Sequence, residues 1–184
     1  NIYSLIANKF ILENGLLVEK PLDYQTTYFP PMWEGDCIEL LPLLEGESID
    51  AVITDPPYGC NHNTSVFGKE TNFNMFNPCD PRDLANAKDL ETFLKMLEVI
   101  GKEVWRVLKP KKYFVLIIGD RYQQGEFIPL GFMVSQRMRR LGFKLKGIKI
   151  WTNKATQRHL KPYAVMSCFV PNITHQNILI LRKG

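Results

Sequence analysis

The sequence predicts an α/β fold, a mostly parallel sheet that ends in an antiparallel C-terminal edge hairpin. Three observations predict it. Between residues 49 and 151, short apolar strand-like runs alternate with amphipathic stretches of helical period, the pattern of parallel strands joined by crossover helices. Each helical stretch meets a stop signal, Pro110 after the first and Gly142 after the second. No helical pattern separates the last two strand-like runs, so they are expected to pair antiparallel.

The elements follow in order. Residues 1–31 read as an N-terminal extension: Ile2 to Leu17 has some helical periodicity, and Pro21, Pro30 and Pro31 then break the chain. The main unit is 32–184. After Gly35-Asp36, Ile38-Glu39-Leu40-Leu41 reads as a short helical turn. Ile49 to Thr54 is a short apolar strand that ends at Asp55-Pro56-Pro57-Tyr58. Residues 59–88 hold six asparagines, two glycines and two prolines and show little periodicity. A long mobile loop is expected there. Phe93, Leu97, Ile100, Val104 and Val107 then recur at steps of three and four, one stripe of a helix that stops before Pro110. Tyr113 to Ile118 is a buried-type strand ending at Gly119-Asp120. Pro129 suits the start of a second helix, which runs to about Leu141. Phe143 to Trp151 is a strand whose apolar alternation changes phase at Gly147, which predicts a bulge there. Asn177 to Leu181 is the last short strand.

Composition narrows the function classes. At 184 residues, 45% apolar and 23% charged, the chain has the make-up of one globular domain. No apolar run approaches the ~18 residues of a membrane span. Its four cysteines form no CxxC pair, so reduced thiols and a cytoplasmic location are expected. Cys60, His62 and Cys79 fit no zinc spacing, and no metal is expected. The chain opens on Asn1 rather than Met, as a piece of a longer polypeptide would.

Net charge is +4, but it is unevenly spread. Residues 1–101 carry 6 Lys/Arg against 16 Asp/Glu, and residues 102–161 carry 15 against 3. Arg137, Arg139, Arg140, Lys144, Lys146 and Lys149 form a dense basic cluster that is expected to have almost no acid to pair with. A phosphate backbone would neutralise such a cluster and release counterions, so nucleic acid is the expected partner. Lys154, Arg158 and Lys161 extend the basic stretch and are expected to contact phosphate together with Arg137 and Arg140.

The chemistry sits in Asp55-Pro56-Pro57-Tyr58, at the strand end where open α/β sheets place ligands. Two prolines remove two N–H donors and restrict the backbone. What remains is a cluster of acceptors, the Asp55 carboxylate and the backbone carbonyls. Such a cluster suits a substrate that donates hydrogen bonds, such as an exocyclic –NH2. Asp55 and a proline carbonyl can hold both amine hydrogens and turn the nitrogen lone pair towards an electrophile. Tyr58 offers a ring on which a base can stack. The same four residues also make good turn chemistry with a buried tyrosine.

Gly35-Asp36-Cys37 followed by Ile49 to Gly59 resembles the amino-methyltransferases that use S-adenosylmethionine. So do Trp105 to Pro110 and Gly119-Asp120. With Phe127-Ile128-Pro129-Leu130-Gly131-Phe132 and His175 to Lys183, the set is similar to the DNA N6-adenine and N4-cytosine methyltransferases, over about residues 33 to 183. The resemblance implies a Rossmann-like methyltransferase sheet with Asp55, Pro56, Pro57 and Tyr58 as the catalytic tetrad. Asp55 would accept from the target amine and Tyr58 would stack on a base flipped out of the duplex. It implies S-adenosylmethionine as cofactor, with Asp36 near its adenine and Cys37 and Asp55 alongside. Aspartate at the head of the tetrad favours adenine N6 over cytosine N4.

One departure is large. The glycine-rich cofactor loop of the family is not found in the sequence, nor is the acidic strand end that would hold the ribose. The residues correspond to the third strand of the family sheet onward, without its first two. A second polypeptide or a further segment is then expected to supply the cofactor half. Two alternatives stand beside this reading: a tRNA guanine-N2 methyltransferase, which would make RNA the partner, and a non-catalytic nucleic-acid-binding subunit. His159 and His175 are expected to be structural or solvated.

Overall fold

The structure is a computed structural model that describes residues 10–13, 16–19, 33, 35–58, 82–123, 126–152 and 173–184. Its strands are β1 (Phe10–Glu13), β2 (Leu16–Glu19), β3 (Ile49–Thr54), β4 (Leu108–Ile118), β5 (Arg121–Gln123), β6 (Glu126–Ile128), β7 (Lys144–Thr152) and β8 (His175–Arg182). Its helices are α1 (Cys37–Leu40), α2 (Leu90–Val107) and α3 (Leu130–Arg140), with single 3-10 turns at Leu41–Leu43 and Leu84–Asn86.

α2 shows why the sequence folds this way. The Asp89 carboxylate accepts from the Thr92 N–H at 2.7 Å and caps the helix. The predicted stripe Phe93, Leu97, Ile100, Val104 and Val107 is buried, joined by Leu94. These side chains pack against Val52 of β3, Phe114, Leu116 and Ile118 of β4, and Leu179 and Leu181 of β8. Leu130, Val134 and Met138 of α3 complete the core. Burying a side chain of this size stabilises by about 1.5–3 kcal/mol, so the stripe holds the helix to the sheet.

The four-stranded sheet runs in the order β3-β4-β8-β7. β3 and β4 are parallel, and β8 is antiparallel to both β4 and β7. The α/β class and the antiparallel pairing of the last two strands are therefore as predicted. The position of β8, inserted between β4 and β7, was not legible in the sequence. It leaves β7 at the edge of the sheet. The pairing of β7 with β8 shifts register between Leu145 and Gly147, where the bulge was predicted. The bulge restores the apolar phase. Leu145, Ile148 and Ile150 pair with Leu181, Leu179 and Asn177, which share one face of β8.

Two expectations need correction, and one element is new. The helical periodicity of Ile2 to Leu17 does not describe residues 10–13 and 16–19, which form an antiparallel pair. Asn14-Gly15 between them is the dipeptide that favours a two-residue hairpin, a stronger local signal than the weak periodicity. The expected loop at 59–88 contains a 3-10 turn at Leu84–Asn86, where the Asp83 carboxylate accepts from the Ala85 N–H at 2.8 Å. Residues 59–81 lie outside the described residues. Between β4 and α3, β5 and β6 form a small antiparallel hairpin that the sequence did not announce.

This topology gathers three segments at one rim of the sheet. β3 ends at Thr54 and β4 at Ile118, and both run towards that rim. β8 runs the other way, so its beginning lies there too, with Asn177 opposite Ile118. Asp55–Tyr58, Gly119–Asp120 and His175–Asn177 therefore converge although the chain separates them widely.

Candidate active site

At that rim Asp55 is exposed and Pro56 is buried, so the prolines anchor a turn that presents the carboxylate to solvent. The Tyr58 hydroxyl donates to Asp55 Oδ1 at 2.6 Å. The same hydroxyl accepts from the Gln176 side-chain amide at the start of β8. The Tyr58 ring lies on the backbone of Gly119, where an added Cβ would meet Tyr58 Cε2 at 2.8 Å. Only glycine leaves room for the ring in this position.

A second constellation supports the first. The Asp120 side chain is 5% exposed and sits at the N-terminus of α3. Its Oδ1 accepts from the Gly131 N–H at 3.0 Å and its Oδ2 from Asn177 Nδ2 at 3.1 Å. His175 Nε2 stands 3.6 Å from Oδ2. Pro129, at the cap position, has no capping side chain, so Asp120 supplies the cap from the end of β4. A carboxylate there also complements the helix dipole. Gly131 admits Asn177, whose Nδ2 would lie 2.6 Å from an added Cβ. Asp120 thus ties β4, α3 and β8 together beside Tyr58.

The predicted cofactor residues stand at α1. Asp36 Oδ1 accepts from the Ile38 N–H at 2.9 Å and caps that short helix. Asp36 Oδ2 stands 3.5 Å from Arg82, which also pairs with Glu39 at 2.9 Å. Cys37 packs against the core. Burial, reinforced by the adjacent Asp36 charge, pushes its thiol up to about 11.

The basic cluster divides. Arg137 bridges to α2, pairing with Glu91 at 2.7 Å and Glu98 at 3.3 Å, and its side chain is 20% exposed. The expectation that this cluster lacks acids is corrected at Arg137, because the acids lie 46 and 39 residues earlier in the chain. Lys109 and Lys112 likewise share Asp50, at 2.8 and 3.1 Å, and hold its carboxyl below the usual range. Arg139, Arg140, Lys144, Lys146 and Lys149 are exposed and have no ion-pair partner among the described residues. Lys154, Arg158, His159 and Lys161 lie outside the described residues. No group of His, Cys, Asp and Glu that could hold a metal occurs among the described residues. No helix among them is long and apolar enough to cross a membrane.

Sequence reasoning missed Gln176 and the roles of Gly119, Asp120 and Asn177. Both segments stood out as motifs, but their pairing depends on strand register.

Comparison with known proteins places this geometry. The N6_N4_Mtase family model, described as DNA methylase, matches residues 49–184 and so spans the tetrad. The Type II methyltransferase M.MwoI of Methanothermobacter wolfeii is 27% identical over 121 residues, 64% of this chain and 16% of its own length. A putative DNA modification methylase of Thermus thermophilus, TTHA0409, superimposes with a TM-score of 0.54 at 26% identity, covering 81% of this chain and 50% of that one. The same protein complexed with S-adenosyl-L-methionine matches with a TM-score of 0.53 at 25% identity, over 81% of this chain and 53% of that one. The cytosine-N4-specific PvuII DNA methyltransferase shares the fold, with a TM-score of 0.59 at 21% identity over 83% of this chain and 48% of that one. The chain spans about half the length of these solved relatives. With a sheet of the same fold and a family match from β3 to its last residue, the chain belongs to the N6/N4 DNA methylase family.

Proposed function

We propose that residues 32–184 form the catalytic part of a methyltransferase that acts on the exocyclic amine of a base flipped out of DNA, adenine N6 in preference to cytosine N4. The observation that carries this reading is Asp55, an exposed carboxylate at the end of β3 held through one oxygen by Tyr58. Its other oxygen is left to accept an amine hydrogen, and the tetrad has two prolines in place of competing N–H donors.

The residues present fit one end of S-adenosylmethionine as methyl donor, with the glycine-rich part of the site expected from a further segment or a second polypeptide. Asp55 is an anion suited to a neighbouring sulfonium. Asp36 and Cys37 would hold the adenine end, beside the Arg82 guanidinium that stands 3.5 Å from Asp36 Oδ2. S-adenosylmethionine, when bound, supplies a methyl carbon on a sulfonium sulfur that keeps the bonding pair as the methyl leaves. Asp55 orients the amine so that its lone pair forms the new N–C bond, and the nitrogen then gives up a proton to solvent, which reaches the exposed Asp55. Carboxylate and carbonyl acceptors stabilise the positive charge that develops on nitrogen in between. Much of the acceleration comes from holding the reacting atoms in line. Tyr58 stacks on the extruded base, which offsets part of the unstacking cost. Arg140, Lys154, Arg158 and Lys161 supply phosphate contacts, with the other exposed lysines and arginines of the cluster.

The test is transfer of radiolabelled methyl from S-adenosylmethionine to duplex DNA by the full-length protein, followed by digestion and separation of N6-methyladenine from N4-methylcytosine. Label in adenine, lost in Asp55→Ala, is expected. Label in tRNA alone, or undiminished transfer by Asp55→Ala, would overturn the reading.

A further inference from the structure

We propose that Gln176 is a positioning residue for methyl transfer, acting through the Tyr58 hydroxyl on Asp55. The inference rests on the reading of Asp55 as the amine acceptor. It concerns a residue 118 positions away in the chain, on the strand inserted beside β4.

The hydrogen bonds have one consistent direction. Asp55 as a carboxylate has only acceptors, so the phenol proton of Tyr58 must point at Asp55 Oδ1, 2.6 Å away. The Tyr58 oxygen then offers Gln176 only lone pairs, and the amide must turn its NH2 towards it, as it does. The order Gln176 to Tyr58 to Asp55 therefore follows from the charge at its end. Three constraints fix the phenol: Asp55 on one side, Gln176 on the other, and Gly119 beneath the ring. Asp55 Oδ1 is thereby occupied, and the carboxylate cannot rotate without breaking its bond to the phenol. Oδ2 is the oxygen left for the amine. The β4–β8 register that sets Asn177 opposite Ile118 also fixes the place of Gln176 beside the tetrad. Asn177, the next residue, is held by Asp120, so the platform under Gln176 is itself tied down.

This assigns the tyrosine hydroxyl a task distinct from ring stacking. Removing the hydroxyl, or its second partner, should leave substrate binding in place and loosen Asp55. A misplacement of about 1 Å at a reacting group can cost on the order of a hundredfold in rate.

The experiment compares Gln176→Leu, Tyr58→Phe and the double variant in the full-length protein, with Asp55→Ala alongside. We expect Gln176→Leu to lower kcat about 10- to 100-fold with KM for DNA and for S-adenosylmethionine within about twofold of wild type. Tyr58→Phe should lose a similar factor, and the double variant should be no slower than the slower single variant, because one chain of bonds is broken only once. A double variant whose loss is the product of the two single losses would overturn the proposal. So would Gln176→Leu at wild-type kcat while Asp55→Ala is dead. Wild-type transfer by Asp55→Ala would instead remove the tetrad reading, and this inference with it. Gln176→Glu gives an independent arm should the leucine variant fold poorly. A carboxylate there competes with Asp55 for the phenol proton, so activity relative to wild type should rise as pH falls and the introduced carboxylate is neutralised. An unchanged pH profile in this variant would also refute the relay.

Discussion

The ring of Tyr58 lies against the backbone of Gly119, so close that a Cβ there would stand 2.8 Å from the ring edge. Gly119 follows β4 and Tyr58 follows β3, and the parallel pairing of these strands brings them together. Gly119→Ala is therefore expected to push the ring aside and loosen Asp55. Tyr58 is only partly buried and can swing outward, so the loss should appear in kcat, about a hundredfold, with little change in melting temperature. Steady-state methyl transfer and a thermal melt on the same preparation check it.

Asp120 is expected to matter for stability before chemistry. Asp120→Ala leaves the buried Gly131 N–H and the Asn177 amide without their acceptor. An orphaned buried donor costs about 1–3 kcal/mol, so the urea midpoint should fall accordingly, with α3 the first element to lose hydrogen-exchange protection.

Two of the three arginines of α3, Arg137 and Arg140, should separate cleanly. Arg137→Ala breaks the bridge to Glu91 and Glu98, and a lower melting temperature with an unchanged salt slope of DNA binding is expected. Arg140→Ala removes an exposed guanidinium. It should leave the melt unchanged and reduce the salt slope by about 1. Binding isotherms at several salt concentrations distinguish the two.

Cys37 should resist alkylation. With its thiol raised from the ordinary 9.0 to about 11, the thiolate is scarce at pH 8. Iodoacetamide labelling of its peptide, followed by mass spectrometry, should run roughly a hundredfold slower than for a free cysteine. The sign for stability follows. Between about 9 and about 11 the unfolded chain releases a proton that the folded chain keeps, so this group lowers stability as pH rises through that window.

Much of the fold was legible because its causes are local. The stripe from Phe93 to Val107 has a helical period, and burying that stripe is what a helix on a sheet must do. The phase change at Gly147 announced a bulge because strand side chains alternate strictly. The segment Asp55–Tyr58 stood out as the proposed site because two prolines after an apolar strand strip donors from the backbone whatever surrounds them. Where two local signals conflicted, as between weak periodicity and Asn14-Gly15 before β2, the sequence alone misled.

Other features belong to no single segment. The insertion of β8 between β4 and β7 is a pairing choice among strands, and no residue of β8 encodes it by itself. Gln176 gains its bond to Tyr58, and Arg137 its acids, only once register and helix packing bring together residues far apart in the chain. The sequence by itself determined the three helices and the four strands of the main sheet, which depend on neighbours a few residues away. Only the tertiary structure decided which hydrogen bonds hold Asp55 and which arginines stay unpaired, because long-range contacts are set by how faces are buried together.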